Sequence, residues 1–176
     1  MKRFASQLTF CSPERILRNT VVEQDENGVI TAIFNLHELR VESTHTKFLD
    51  GIISPQFVSL KLNKFDGNSK IDLTQYQYID LSESTDFKDL VATNLPLIFD
   101  FGNNSQLEIN QKLKLLSTSL ISFSIFDIIA ACVFHPAKIL GVCTDLEISN
   151  QLQLVIWEQV DLVNKKLTST SHIAFL

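Results

Sequence analysis

The first third of the chain alternates between β-rich runs and turn residues. Residues 20–23 and 29–34 are rich in β-branched side chains, and Asn27 and Gly28 between them suit the positive φ angles of a tight turn. This pattern predicts a β-hairpin. Further along, Asp50 and Gly51 predict another turn, which leads into a short strand at residues 52–53.

The middle of the chain mixes short apolar runs with polar stretches. Pro55 has no N–H to give to a sheet, so we expect it to interrupt the ladder, with a new strand at residues 57–62. Residues 64–75 are polar and rich in turn formers, and residues 76–81 predict a short strand. A brief helix capped by Ser84 or Thr85 follows, and the apolar residues 95–101 predict another strand.

Two longer helices are predicted next. Ser105 and Glu108 have the spacing of a capping box, which places a helix at residues 105–117. Residues 124–134 are apolar almost all round, as in a helix buried on every side. Pro136 cannot continue that helix, but it can begin a further short turn that ends at Gly141.

The last part of the chain returns to a β pattern. Residues 151–160 and 169–176 predict strands on either side of a turn at residues 164–166. The order is therefore β-rich, then a short α/β middle, then β-rich, which predicts an α+β fold. We expect the two β-rich ends to build one sheet system, with the middle packed on it.

Composition narrows the possible classes of protein. The chain has 176 residues, of which 45% are hydrophobic and 20% charged, and its net charge is −5. These values predict one domain with a proper core. Without a basic block, nucleic acid is not an expected partner. No apolar run reaches the 18 or so residues of a membrane span, and the N-terminal residues lack the apolar region of a signal peptide.

Cysteine usage predicts a reducing compartment. The three cysteines are an odd number without metal-binding spacing: Cys11, Cys132 and Cys143. Two of them lie in apolar surroundings, so we expect reduced, buried thiols in a cytoplasmic protein.

Three stretches resemble one enzyme family. The hairpin sequence at residues 27–30 and the stretch "FLDGIISPQFVSLKLN" match opening strands that usually continue as G-x-x-x-P-G-F-x-x-x-H-x-H, with Gly51, Pro55 and Phe57 in place. Near the other end, "PAKILG" at residues 136–141 matches a closing helix that usually reads T-x-N-x-A-K-x-L-G. In these respects the chain resembles the amidohydrolase superfamily of metal-dependent hydrolases, including imidazolonepropionase, cytosine deaminase and chlorohydrolases.

This resemblance implies a particular architecture. In the family, both chain ends form a small β-sandwich, and a metal-bearing (β/α)8 barrel lies between them. The corresponding expectation is a composite sandwich of residues 1–63 and 142–176, with residues 64–141 as an α/β remnant of the barrel. Only 33 residues separate Asn63 from Leu97, whereas a complete barrel domain takes about 200 residues or more. Most of the barrel must therefore be missing.

The resemblance also marks four former metal-site positions. Lys61 and Asn63 stand where the family has two metal-binding histidines. Lysine is a cation and asparagine a neutral amide, so neither replaces an imidazole ligand. Gly102 takes the place of the family's proton-accepting aspartate, and Asp100 is the carboxylate nearest to it. The four histidines of the chain form no HxH, HxxH or HExxH motif, and we expect His135 to end a helix and the others to lie at the surface: His37, His45 and His172.

The sequence therefore predicts a non-catalytic protein without a metal or other cofactor. A pseudoenzyme with a structural or protein-interaction role fits these losses, and a homodimer would cover the strand edges that a cut barrel exposes. Two alternatives stay open at this stage. One is a small-molecule binding module at the former active-site end, near Lys61, Asn63 and Asp100. The other is a residual metal-dependent hydrolase.

Overall fold

The computed structural model describes residues 1–38, 45–60, 79–80, 97–101, 104–119 and 123–176, with residues 79–80 described through their backbone. Two predicted features lie outside the described residues. They are the polar stretch at residues 64–75 and the brief helix after Ser84 or Thr85.

Six strands form the main sheet. They are β1 (Lys2–Ser12), β2 (Arg15–Gln24), β3 (Ile30–Asn35), β4 (Thr46–Pro55), β7 (Leu154–Glu158) and β8 (His172–Phe175). Their order across the sheet is β3-β2-β1-β4-β7-β8, and only β1 and β4 are parallel neighbours. Strands from both ends of the chain thus share one mixed sheet, and the fold is α+β. The sandwich and the barrel remnant stay predictions, as does the division into domains.

A second, smaller sheet holds the two strands of the middle region. They are β5 (Ile79–Asp80) and β6 (Leu97–Ile98), which pair in parallel. Both fall inside the predicted strands at residues 76–81 and 95–101.

The predicted hairpin is the β2–β3 connection. Gly28 has a φ of +80°, which glycine adopts without steric cost. The Asp25 carboxylate accepts hydrogen bonds from the backbone N–H groups of Asn27 and Val29, both at 2.8 Å. The side chain of the residue that opens the turn thus fixes its geometry.

Strand β1 is central to the sheet, yet its sequence lacks the alternation of apolar and polar residues that predicts a strand. Phe4 and Phe10 are both even-numbered, but they belong to hydrophobic cores on opposite faces of the sheet. The change of face coincides with a register shift in the β1–β4 pairing between Ser6 and Leu8. Asn19 on β2, near this point, has a φ of +47°. A strand that changes face midway has no continuous period of two.

The prediction of a turn at Asp50 and Gly51 is wrong. Both residues lie within β4, where Gly51 is opposite Glu158 of β7. Gly51 has a φ of +155°, and a Cβ there would lie 2.0 Å from the carbonyl oxygen of Trp157. Glycine is thus required by close approach of two backbones in a bulged strand, rather than by a turn.

The prediction of a strand at residues 57–62 is also wrong for the part of this range that the structure describes. Pro55 ends β4, and residues 56–59 belong to no strand. The N–H of Val58 donates to the carbonyl of Cys132 at 3.1 Å, so this segment bonds to a helix instead of a neighbouring strand.

The helices are α1 (Gln106–Ser119), α2 (Ile125–Ile129) and α3 (His135–Leu140), with a π-helical turn (Ala130–Phe134) joining α2 to α3 and a short 3₁₀ turn at Leu36–Glu38. The predicted capping box of α1 is confirmed, because the Glu108 carboxylate accepts from both the N–H and the hydroxyl of Ser105. Gly141 ends α3 with a φ of +66°. In the part of the chain that the structure describes, no helix is long and apolar enough to cross a membrane.

The main sheet separates two hydrophobic cores. The helix-side core joins β-strand residues to α1, α2 and the π-helical turn, and it includes Phe10, Ile52, Phe99, Leu113, Ile129 and Trp157. The opposite core packs under the segment that leads into β7 and includes Phe4, Val22, Ile30, Leu146 and Ile156. Trp157 is fully buried, and its indole N–H donates to the Ser54 hydroxyl at 2.9 Å. Each large apolar side chain buried in this way contributes about 1.5–3 kcal/mol.

Candidate functional site

Asp100 is the one former metal-site position among the described residues. It lies two residues after the end of β6 and is 4% exposed. The hydroxyl of Ser59 donates to its Oδ1 at 2.7 Å, and Ser59 lies in the segment that follows β4. The hydrogen bond thus joins the chain segments that leave two strands of different sheets. Lys61, Asn63 and Gly102 lie outside the described residues, so their assignment as former metal-site positions stays a prediction.

The π-helical turn holds both of these segments. The N–H of Phe99 donates to the carbonyl of Ala131 at 2.9 Å, and the N–H of Val58 donates to the carbonyl of Cys132. A π-helical turn shifts the regular hydrogen-bond ladder, which makes carbonyl groups available to other partners. The turn therefore fixes the residues immediately before Ser59 and Asp100.

His135 adds a side-chain contact to the same region. It was expected to end a helix, but it is the first residue of α3, and its Nδ1 lies 2.7 Å from the carbonyl oxygen of Leu97 on β6. A carbonyl only accepts, so Nδ1 carries a proton and donates. No local pattern predicts this contact, because it joins residues 38 positions apart.

Metal-ligating side chains do not converge in the described part of the chain. There, no group of three or more His, Cys, Asp or Glu residues has the arrangement to hold a metal ion. His172 pairs with a carboxylate across β7 and β8, its Nε2 lying 3.0 Å from Glu158. His37 and His45 are exposed, in agreement with the expected surface positions.

The three thiols divide into two buried and one exposed. Cys11 and Cys132 are buried, and Cys143 is exposed. Burial raises the pKa of Cys11 and raises that of Cys132 further, so both stay protonated and unreactive. The Sγ of Cys143 accepts from the side-chain amide of Asn150 at 3.6 Å.

The arrangement around Asp100 is suited to holding structure. A buried carboxylate is stable only when hydrogen-bond donors surround it, and here a neighbouring hydroxyl supplies one. Carbonyls of the π-helical turn accept from the residues that precede Ser59 and Asp100, namely Val58 and Phe99. These groups anchor two chain segments to one helix.

No protein-family model matches the chain, and no curated protein matches it. Among solved structures, the chain is similar to N-acetyl-D-glucosamine-6-phosphate deacetylase from Mycobacterium smegmatis, with 8% identity and a TM-score of 0.27. The match covers 69% of this chain and 30% of that one. A TM-score of this size does not establish a shared fold.

Proposed function

We propose that the protein is a non-catalytic, amidohydrolase-like pseudoenzyme with a structural or protein-interaction role. The observation that carries this proposal is the state of Asp100. The carboxylate nearest to the family's proton-accepting position is 4% exposed and accepts a hydrogen bond from the Ser59 hydroxyl. A general base must instead be able to reach a reacting water.

The residue types at the other marked positions support the same function. Lys61 and Asn63 replace the two histidines that the resemblance places at the end of the first barrel strand. A metal that activates water needs about three protein ligands and an open coordination position. The proposal includes the finer architecture of a sandwich built from residues 1–63 and 142–176 with a barrel remnant at residues 64–141.

The proposed partner is a second copy of the chain in the cytoplasm. A barrel reduced to a few strands leaves edges that another copy would cover, and two-fold dimers are the commonest assemblies. Light scattering coupled to size-exclusion chromatography tests this directly. A molecular mass near twice 19.9 kDa is expected, and a monomer at high micromolar concentration would rule the homodimer out.

The functional proposal predicts that the protein neither contains a bound metal ion nor is stabilised by one. It also predicts that Asp100 stabilises the fold. Protein purified without a metal-binding tag should contain no stoichiometric zinc, iron or manganese by mass spectrometry. Adding these ions should not raise the melting temperature, as a folded-state ligand would. Asp100→Ala should lower the free energy of unfolding by about 1–3 kcal/mol, because the hydrogen bond from the partly buried Ser59 hydroxyl to this carboxylate is lost.

A carboxylate at the surface provides the control. Glu147 is exposed, so Glu147→Ala should change the unfolding free energy by no more than about 0.5 kcal/mol. One bound metal per chain that disappears in Asp100→Ala would overturn the proposal and favour a residual hydrolase.

A further inference from the structure

An open pocket lies beside the β1–β2 hairpin, and Asp100 is not among the residues that line it. Its volume is about 340 Å³, within the usual range of about 300–1,000 Å³ for small-molecule sites. The lining residues come from β1, β2, the start of α2 and the loop before β8, and they are Gln7, Leu8, Ile16, Arg18, Phe126, Leu162 and Lys165.

The floor of this pocket is apolar and rests on the helix-side core. Leu8, Ile16, Phe126 and Leu162 are each partly buried against that core. Phe126 also packs on Phe10, with ring centroids 5.6 Å apart. The floor is therefore supported from below, and its exposed half can take up an apolar group.

Two cations, Arg18 and Lys165, line the pocket, and both lie on the helix-side face of the main sheet. Leu8 is opposite Arg18 in the β1–β2 pairing, and Ile16 is two residues before Arg18, so strand alternation directs all three to one face. The Lys165 ammonium lies 5.4 Å from the centroid of the Phe126 ring. Neither cation makes an ion pair with any residue that the structure describes.

The backbone of Lys165 has a defined conformation. Its φ is +56°, a conformation that side-chain-bearing residues rarely adopt, and its carbonyl accepts from the N–H of Ile125 at 2.7 Å. The loop is thus tied to the start of α2, which carries Phe126. This connection fixes the backbone of Lys165 beside the pocket, where its ammonium lies over the Phe126 ring.

Carboxylates on the adjoining elements have partners of their own. Asp50 accepts from Gln7, Asp127 from Ser124, and Asp161 from Asn164. None of the three lines the pocket. The charged side chains that line the pocket are thus both cations, Arg18 and Lys165, in a chain whose net charge is −5.

We propose that this pocket binds a small organic carboxylate, whose anionic end contacts Arg18 and Lys165 and whose apolar body lies on Leu8, Ile16 and Phe126. The ligand class follows from the two parts of the site. Arg18 can bind a carboxylate through two parallel hydrogen bonds, and Lys165 adds a point charge. The volume accommodates a single ring or a short chain. This binding site does not depend on the amidohydrolase-like proposal.

Three probes separate the two parts of the site in calorimetric titrations of the full chain. Phenylacetate has both the carboxylate and the apolar ring. Phenylacetamide keeps the ring but is uncharged, and acetate keeps the carboxylate but has no ring. Phenylacetate should bind saturably, and each of the other two at least about tenfold more weakly, because each forfeits one set of contacts. Absence of saturable phenylacetate binding, or equal binding of phenylacetamide, would overturn the proposal.

Substitutions locate the binding. Arg18→Gln combined with Lys165→Gln should weaken phenylacetate binding by at least about tenfold. Arg15→Gln, on the same strand, is the matched control, since Arg15 is exposed and does not line the pocket, and it should bind as the unaltered protein does. Equal affinities in the double variant and in Arg15→Gln would place the bound anion elsewhere and refute this site.

Discussion

At the scale of single residues, Gly51 is the most constrained of the glycines that the structure describes. Its φ of +155° is accessible to glycine alone, and any Cβ would lie 2.0 Å from the Trp157 carbonyl oxygen. We expect Gly51→Ala to lower the free energy of unfolding by about 3–5 kcal/mol, because backbone strain and a clash between β4 and β7 add together. Urea-induced unfolding followed by circular dichroism measures this loss.

Gly141 provides a control for the clash. It also has a positive φ, at +66°, but a Cβ there would meet nothing within 4 Å. Gly141→Ala should therefore cost only the conformational term, about 1–2 kcal/mol. Similar losses in the two variants would show that the close approach to Trp157 does not matter.

Sequence reasoning succeeded at the residue scale where a motif is local. Asn27 and Gly28 marked the hairpin, and Ser105 with Glu108 marked the start of α1, since these contacts join residues a few positions apart. It failed at Gly51. A sequence does not distinguish a glycine that a distant backbone requires from a glycine that a turn requires. Sequence reasoning missed the Ser59–Asp100 and His135–Leu97 contacts for the same reason, as they span 41 and 38 positions.

At the scale of elements, α1 closes one edge of the main sheet. The Asn110 side-chain amide pairs with the backbone of Ile173 on β8, accepting from its N–H at 2.8 Å and donating to its carbonyl at 3.3 Å. Gln106 donates to the same carbonyl at 2.9 Å. A side chain here takes the place of a further strand, which protects the edge from pairing with another chain.

The contact between Asn110 and Ile173 gives a prediction of its own. Asn110→Ala should lower the unfolding free energy by about 1–2 kcal/mol, because the Ile173 N–H loses its acceptor. It should also increase self-association, which light scattering during mild heating would detect. Lys114→Ala, at an exposed position one turn further along α1, should change neither quantity. An Asn110→Ala protein that matched Lys114→Ala in both measurements would contradict the role assigned to this side chain.

Elements were predictable where one hydrophobic pattern continues along the whole segment. The buried helix expected at residues 124–134 is present as α2 and the π-helical turn, and Pro136 lies at the beginning of α3 as expected. β1 was missed because its side chains change face at Ser6–Leu8. The strand expected after Pro55 is absent from residues 56–59, since the π-helical turn offers this segment a different hydrogen-bond partner.

At the scale of the whole molecule, exposed carboxylates make stability depend on pH. Hydrogen bonds from the backbone and hydroxyl of Ser105 hold the pKa of Glu108 below its ordinary 4.5. Bonds from the backbone and side chain of Asn164 similarly lower the pKa of Asp161 from 3.8. As the pH falls through this range, the unfolded chain takes up protons before the folded one does, so stability declines.

The measurement is the urea midpoint from pH 7 down to pH 3, where we expect a steady fall below about pH 4.5. Glu108→Gln is the informative variant, because glutamine keeps the capping-box hydrogen bonds but cannot titrate. It should flatten the acid decline relative to the unaltered protein. An unchanged decline in Glu108→Gln would mean that other groups govern the acid sensitivity.

The order of strands in the sheet has a consequence for biosynthesis. β4 lies between β1 and β7, so its second edge stays open until residues 154–158 have left the ribosome. That delay covers about 100 residues of translation, or roughly 5–20 s. During this interval the nascent chain presents Ile52 and Ile53, which are fully buried once β7 is in place. The protein should consequently rely on chaperones while it is being made, and a truncation before β7 should be degraded instead of accumulating.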